Sequence, residues 1–262
     1  MTADANVHFH FSFTPIKKLP SGMKKKVSSI LLLLAFMANG VLPALAQSDS
    51  RDFRPSWYAG IGGGKCLGQA TFRSVTESTS HVGSMFSIFG GYQFSRLISA
   101  ETLVTMGRQL QTSLDCDPFW MTTDGESYYA PVLGREGYSY SDLTANTSWT
   151  RLAVQGNFDL LSLLVAPTVQ WSVTLSPQLS AVTTLTEHST DTYSREYDRQ
   201  WHLGLGGQGA VGYRIVPNVG VQLYGGITCM TGDRFDNIPK RYHKSNFIYE
   251  FGLKVSCYFL KN

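Results

Sequence analysis

From residue 57 onward the chain alternates apolar and polar residues one for one, the period of a strand whose two faces meet different surroundings. The clearest run closes the sequence. Phe247, Tyr249, Phe251, Leu253, Val255, Cys257 and Phe259 alternate with Glu250, Gly252, Lys254, Ser256 and Tyr258. Seven earlier runs repeat the pattern, at 57–64, 86–95, 99–106, 150–158, 165–173, 201–215 and 219–227, which makes eight predicted strands. Trp57, Ala59 and Ile61 oppose Tyr58, Gly60 and Gly62; Leu152 and Val154 oppose Arg151, Ala153 and Gln155. The predicted connections alternate in length. Short ones fall at 95–98, 159–163 and 216–218, and long ones at 68–84, 108–147, 174–200 and 230–245. A forty-residue connection is foreign to an ordinary compact domain, but alternating short turns and long loops suit a barrel that crosses a membrane.

The last run is long enough to cross a bilayer at a tilt, and backbone polar groups in hydrocarbon must be paired on both sides, which requires closure. Which face looks inward is decided by the polar set. Its charged members are only Glu101, Arg151, Arg214, Glu250 and Lys254, the rest being mostly Gly, Ser, Thr, Gln, Ala and Tyr. A face in bulk water carries more Lys and Glu, whereas small residues and amides suit the crowded interior of an eight-stranded wall. The expected fold is all-β, an eight-stranded antiparallel up-and-down transmembrane β-barrel with short periplasmic turns and long extracellular loops. A soluble, lipocalin-like ligand-binding barrel is the rival arrangement, with the apolar set turned inward.

The opening Trp57-Tyr58-Ala59-Gly60-Ile61-Gly62-Gly63-Gly64, the stretch Phe89-Gly90-Gly91-Tyr92-Gln93-Phe94-Ser95, the run Val165-Ala166-Pro167-Thr168 and the closing strand resemble one family. It is that of the small eight-stranded outer-membrane β-barrels, OmpA-like and porin-family, of the Bacteroidetes type. The resemblance covers 57–262. It implies an outer-membrane location in a Gram-negative cell envelope and insertion by the barrel-assembly machinery, with Glu250, Gly252, Val255, Cys257 and Phe259 as the insertion signal. The family usually ends on an aromatic residue; here Leu260, Lys261 and Asn262 follow Phe259.

Composition agrees with a membrane wall: of 262 residues 16% are charged and 43% hydrophobic. Lys24, Lys25 and Lys26 precede the apolar stretch 30–38, and Ala44-Leu45-Ala46 offers a cleavage site, so 23–46 reads as a signal peptide. Residues 1–22, with His8 and His10, read as an upstream extension before a start at Met23, and 47–56 as a short segment ahead of the barrel. The leader and its extension hold five of the 22 basic residues and one of the 19 acidic ones, which leaves 17 and 18 and a formal charge of −1. Without a basic field, nucleic acid is not an expected partner.

The inward charges are the first candidates for chemistry. Charges in a narrow barrel are costly unless paired, so Arg151 is expected to pair with Glu250, and Glu101 with Lys254 or Arg214, as a packed plug. A gate admitting small ions is the functional alternative. Of the four cysteines, Cys66 and Cys229 fall near outer strand ends, Cys116 in the long loop and Cys257 on the apolar face, which leaves room for at most one loop disulfide, involving Cys116. The loops mix aromatic residues with arginines, a composition favoured in binding surfaces. Trp120, Tyr128, Tyr129, Tyr138, Tyr140, Tyr193 and Tyr197 are the candidate residues for an extracellular partner.

Other combinations carry less. Gly64-Lys65 nearly completes a phosphate-binding loop, but Cys66 replaces the magnesium-binding hydroxyl and no helix follows. Gly204, Gly206 and Gly209 match a dinucleotide fingerprint that runs into a strand and Pro217. His188 with Glu187 and Ser189, or His243 with Asp233 and Asp236, could be drawn into a catalytic site. The pairs Asp115, Asp117 and Asp233, Asp236 lack a complete calcium-loop pattern. The expectation is a barrel without catalysis or cofactor that serves as a structural or surface-binding protein with an occluded lumen; a small porin-like channel comes next, and a lipid-modifying enzyme or protease last. Its expected partners are outer-membrane lipid, the assembly machinery and an extracellular molecule.

Overall fold

The computed structural model describes residues 54–114, 117–130, 136–164, 170–192, 194–232, 235–239 and 246–259. Among them the chain forms β1 (Ser56–Gln69), β2 (Gly83–Gln93), β3 (Ile98–Thr112), β4 (Trp120–Thr122), β5 (Tyr128–Tyr129) and β6 (Gly137–Ser139). It continues with β7 (Thr144–Asp159), a single helical turn α1 (Leu161–Leu164), β8 (Trp171–Ser189) and β9 (Ser194–Glu196), then β10 (Gln200–Val216), β11 (Val219–Met230) and β12 (Asn246–Phe259). Eight of these strands make the wall, in the order β1, β2, β3, β7, β8, β10, β11, β12, and β12 pairs back onto β1. Every wall strand is antiparallel to both neighbours. The ladder is closed, and its strands follow one another around the wall in chain order, up and down.

One row of paired residues shows the stagger of the wall. It runs from Tyr58 through Gly91, Glu101, Gln155, Gln178, Gly206, Thr228 and Ile248, and meets β1 again at Gly68, ten residues beyond its start. Such a stagger over eight strands tilts them by roughly 40° and leaves an interior that side chains fill. Gly60 and Gly91 make that filling possible at the narrow end. A Cβ on Gly91 would lie 2.6 Å from the Tyr58 phenol, and one on Gly60 would run into the Phe89 ring.

The alternation read from the sequence resolves into an apolar exterior. Trp57, Trp201, Leu203, Leu223 and Phe259 are each more than 60% exposed, while Tyr58, Glu101, Leu103, Gln155 and Glu250 are buried inside. Removing a large apolar side chain from water is worth about 1.5–3 kcal/mol, so a whole outer face of them demands a non-aqueous covering. A soluble barrel would have the two faces exchanged. Rings gather at the end where β1 begins: Trp57 packs on Tyr92 at 4.9 Å, Tyr92 on Phe94 at 5.0 Å and Trp171 on Tyr213 at 4.9 Å.

One predicted strand is corrected. The fifth was expected at 165–173 with a long loop to 200, but β8 starts at Trp171 and runs to Ser189. Residues 165–169 lie outside the described residues. The miss has a physical cause: beyond Leu175 the run is rich in Ser and Thr, which lowers the contrast between faces. Pro177 is accommodated where pairing with β7 is interrupted, between the pairs Gln155 with Gln178 and Phe158 with Leu175. The turn before β8 is therefore longer than predicted. Asp159 shapes its start, accepting from Leu161 N at 3.1 Å and from Ser162 Oγ at 2.8 Å.

Candidate functional site

Inward positions of six strands bring the barrel charges into one network. Arg151 donates from Nη2 to Glu250 Oε2 at 2.8 Å and from Nη1 to Thr228 Oγ1 at 2.9 Å. Lys254 Nζ lies 3.1 Å from Glu101 Oε1, with both side chains buried. Gln208 couples the two pairs, donating to Glu250 Oε1 at 3.0 Å and accepting from Lys254 Nζ at 3.0 Å. Toward the β1 start the chain of bonds goes on. Gln155 Nε2 reaches Glu101 Oε1 at 2.9 Å, Tyr58 OH reaches Glu101 Oε2 at 3.1 Å, and Asn157 Nδ2 reaches Tyr58 OH at 3.1 Å. Trp149 lies 5.7 Å from the Arg151 guanidinium, and Lys254 Nζ sits 5.1 Å from each of the Phe89 and Tyr224 rings.

Arg214 stands apart from this network. The β10 ladder is irregular between Arg214 and Val216, and the guanidinium lies 4.3 Å over the Tyr258 ring, so its partner is an aromatic face and not Glu101. Gln208, Gln155, Tyr58 and Asn157 complete the network and were not singled out from the sequence. Their signal was present: they share the inward phase of Glu101 and Arg151.

At the other end the loops fold over the wall as a cap with its own core. Phe72, Met121, Tyr140, Leu143, Ala145 and Ile238 are buried together, with Phe119, Tyr128 and Tyr138 against them. Met121 belongs to the small sheet in which β4 pairs with β5 and β6. Asp236 ties two loops: its carboxylate accepts from Phe72 N at 2.7 Å and Ile238 N at 3.3 Å. Tyr140 OH donates to Pro239 O at 3.0 Å, and burial, followed by the Asp236 charge, raises its pKa.

His188, on the outer extension of β8, donates from Nε2 to Asp236 O at 2.8 Å, while its buried Nδ1 has no partner among the described residues. Burial pushes its pKa down to about 4, and the Tyr197 ring covers it at a centroid distance of 4.4 Å. His188 does not converge with Glu187 and Ser189. Strand alternation turns it inward, whereas Glu187 is exposed on the other face and accepts from Ser194 Oγ at 2.7 Å. His243 and Asp233 lie outside the described residues, and Asp236 is a loop tie.

The structure divides the aromatic loop residues. Trp120 and Tyr138 line an open cleft of about 480 Å³ together with Ser139, Asp142, Thr190 and Asp191. Tyr140 is not a surface residue: it is 2% exposed, because the loop core closes over its ring. Tyr128 packs edge-on against Phe119 at 5.6 Å, and Tyr129 OH donates to Glu136 O at 2.9 Å. Tyr197 lies under the Arg195 guanidinium at 5.0 Å. Tyr193 falls outside the described residues. In the turn between β4 and β5, Asp124 has its pKa lowered by the Thr122 hydroxyl and the Glu126 N–H.

No group of His, Cys, Asp and Glu among the described residues could hold a metal ion. Cys66, Cys229 and Cys257 are free thiols, and Cys116 lies outside the described residues. On the closing strand Val255, Cys257 and Phe259 face outward, while Glu250 and Lys254 face the lumen.

No family model matches the chain, and no curated protein matches it in sequence. Solved structures do. The chain is similar to Neisserial surface protein A at 15% identity over 79% of this chain and 100% of the other, with a TM-score of 0.41. It is similar to Ail, the attachment invasion locus protein of Yersinia pestis, solved with the heparin analogue sucrose octasulfate, at 9% identity, 79% and 100% coverage and a TM-score of 0.45. A third is the N-terminal β-barrel domain of Pseudomonas aeruginosa OprF, at 11% identity, 78% and 97% coverage and a TM-score of 0.36. The barrel assignment rests on the closed ladder itself.

Proposed function

We propose that this chain is a non-enzymatic β-barrel of a Gram-negative outer membrane, with an occluded lumen and a folded cap that presents a binding surface outside the cell. The observation that carries this reading is the outward face. From Trp57 to Gly63, from Phe86 to Tyr92, and along all of β10, β11 and β12, it bears no charged side chain and exposes most of its large apolar ones. Only a hydrocarbon environment makes such a face cheaper than its reverse. Occlusion is supported by the Glu101, Lys254, Gln208, Glu250 and Arg151 network, which fills the interior with bonded side chains. Residues 23–46 serve as the export leader, and the closing strand through Phe259 serves as the signal to the assembly machinery.

Binding is assigned to the cleft between Trp120, Tyr138, Asp142 and Asp191. An aromatic pair beside two carboxylates and threonine hydroxyls suits a polar ligand with donor groups and an apolar face.

The test is to express the chain from Met23, isolate outer membranes, wash with carbonate, and compare boiled and unboiled samples on a detergent gel. A retained band whose mobility shifts on boiling supports the embedded barrel, and negligible current in planar bilayers supports occlusion. A soluble periplasmic product without a shift refutes the membrane reading, and steady ohmic conductance refutes the occluded lumen.

A further inference from the structure

The outward wall is uncharged until it nears the cap, and there it becomes basic on one side. Lys65 follows Trp57, Ala59, Ile61 and Gly63 on the exterior of β1, and Arg108 follows Val104 and Met106 on the exterior of β3. They belong to one row: Lys65 pairs with Ser84, and Ser84 pairs with Arg108. Two strand spacings separate the cations, about 9–10 Å between Cα atoms, with the Ser84 hydroxyl exposed between them. Arg73 stands in the same lane above Ser84, bridged to Gln69 on one side and Thr112 on the other. Both bridging partners lie four residues beyond the Lys65 and Arg108 positions.

Neither Lys65 nor Arg108 is ion-paired among the described residues. Arg108 Nε donates to Asn146 Oδ1 at 2.9 Å, which fixes the guanidinium and leaves its Nη edge to the open side. The exterior carboxylate on this flank, Glu187, pairs across from Asn146 one strand further round and is engaged by Ser194. Below the row the wall is apolar, with Phe86, Ile88 and Met106 exposed. A cation beside hydrocarbon is costly unless an anion meets it, and a lysine and an arginine flanking a hydroxyl match the oxygens of a phosphate.

We propose that Lys65, Ser84 and Arg108, with Arg73 above them, bind the phosphate of a lipid headgroup in the outer leaflet, its acyl chains lying against Phe86 and Met106. The site is on the wall below the rim, where a lipid arrives with its chains in the membrane. The inference rests on the lipid-facing reading of the exterior, and the two fail separately: a chain that does not partition into vesicles refutes that reading before any lipid is counted.

The experiment is native mass spectrometry of the barrel released from phosphatidylcholine nanodiscs doped with diphosphoryl lipid A, beside nanodiscs doped with the dephosphorylated glycolipid. The wild-type chain retains the phosphorylated lipid at least about tenfold over the dephosphorylated one. The Lys65→Gln, Arg108→Gln double variant loses that preference, Lys65→Arg keeps it, and Arg96→Gln at the opposite end leaves it unchanged. The boiling shift verifies that each variant is folded. Equal retention by the wild type and the double variant overturns the proposal, since the wall then does not select phosphate. Retention of the dephosphorylated glycolipid by the wild type as strongly as the diphosphoryl one also overturns it, since the headgroup phosphate then contributes nothing.

Discussion

Replacing Glu250 by glutamine tests the interior network directly. Glu250 gives one oxygen to Arg151 Nη2 at 2.8 Å and the other to Gln208 Nε2 at 3.0 Å. A carboxamide offers only one acceptor, so either the arginine or Gln208 meets an N–H₂ group, and Arg151 loses its counter-charge in a site with no exposure to solvent. Its Nε has no partner among the described residues, and the remaining hydrogen bonds go to the Thr228 hydroxyl at 2.9 Å and the Thr105 hydroxyl at 3.4 Å. Breaking one side of a buried pair costs about 3–5 kcal/mol. Arg151→Met alone should cost a similar amount, because Glu250 is then left with Gln208. Arg151→Met with Glu250→Gln removes both charges and leaves only neutral donors and acceptors short of a partner, a loss of about 1–2 kcal/mol. The double variant should therefore be more stable than either single variant, with a coupling of about 3 kcal/mol or more. Urea titration of the folded barrel in lipid vesicles measures this, and Trp149 beside the guanidinium serves as a local fluorophore. A double variant as unstable as the sum of the singles would refute the reasoning, since it would mean that Arg151 and Glu250 contribute independently.

Lowering the pH should loosen the cap through His188. Its folded pKa of about 4 lies below the unfolded value near 6.5, so the folded form resists the proton. Stability is complete above about pH 6.5 and falls as the pH drops through 6 and 5, reaching a loss of about 3 kcal/mol below pH 4. Protease sensitivity of the loops against pH measures it, and His188→Gln should flatten the profile; an unchanged profile in that variant counts against the assignment. Asp236→Ala leaves Phe72 N and Ile238 N without an acceptor and should cost the cap about 2–4 kcal/mol, read as faster loop cleavage with the boiling shift intact. Gly91→Val drives a side chain into the Tyr58 phenol and should destabilise the wall by about 1–3 kcal/mol in the urea assay, whereas Gly209→Ala, where a Cβ would meet nothing within 4 Å, should be nearly silent.

The wall was legible because a two-residue period survives wherever one face is apolar. It carried the phase of Tyr58, Glu101, Arg151 and Glu250 into the interior without any knowledge of pairing. It faded in β8, where Ser176, Ser180, Thr184 and Thr186 face inward and Thr183 outward, so neighbouring positions differ too little in hydropathy. Distance partners were beyond the period. That Lys254 and not Arg214 meets Glu101 depends on the ten-residue stagger and on the irregularity after Arg214, both properties of the closed sheet. The cap was the least legible part, since Phe72, Tyr140 and Ile238 come from three separate loops with no shared spacing. Tyr140 therefore looked like its surface neighbours Tyr138 and Tyr129.

The cap is an extension of one side of the wall. Strand β2 stops at Gly83, whereas β3, β7 and β8 stay paired as far as Thr112, Thr144 and Ser189. The lane that β2 vacates is taken by the first loop, where Arg73 bridges Gln69 and Thr112 and Phe72 turns into the loop core. Inward residues above the barrel charges continue the same strands: Gln109 and Gln111 on β3, Ala145 and Thr147 on β7, Thr186 and His188 on β8. Gln111 Nε2 donates to Phe72 O at 3.2 Å and Thr186 Oγ1 to Phe235 O at 3.4 Å, so two loops are bonded to the wall itself. Deleting a whole loop would uncover that polar interior and report on folding as much as on recognition. Single substitutions at the cleft, Trp120→Ala or Asp191→Asn, leave those bonds in place, and a binding phenotype that survives both must use another surface.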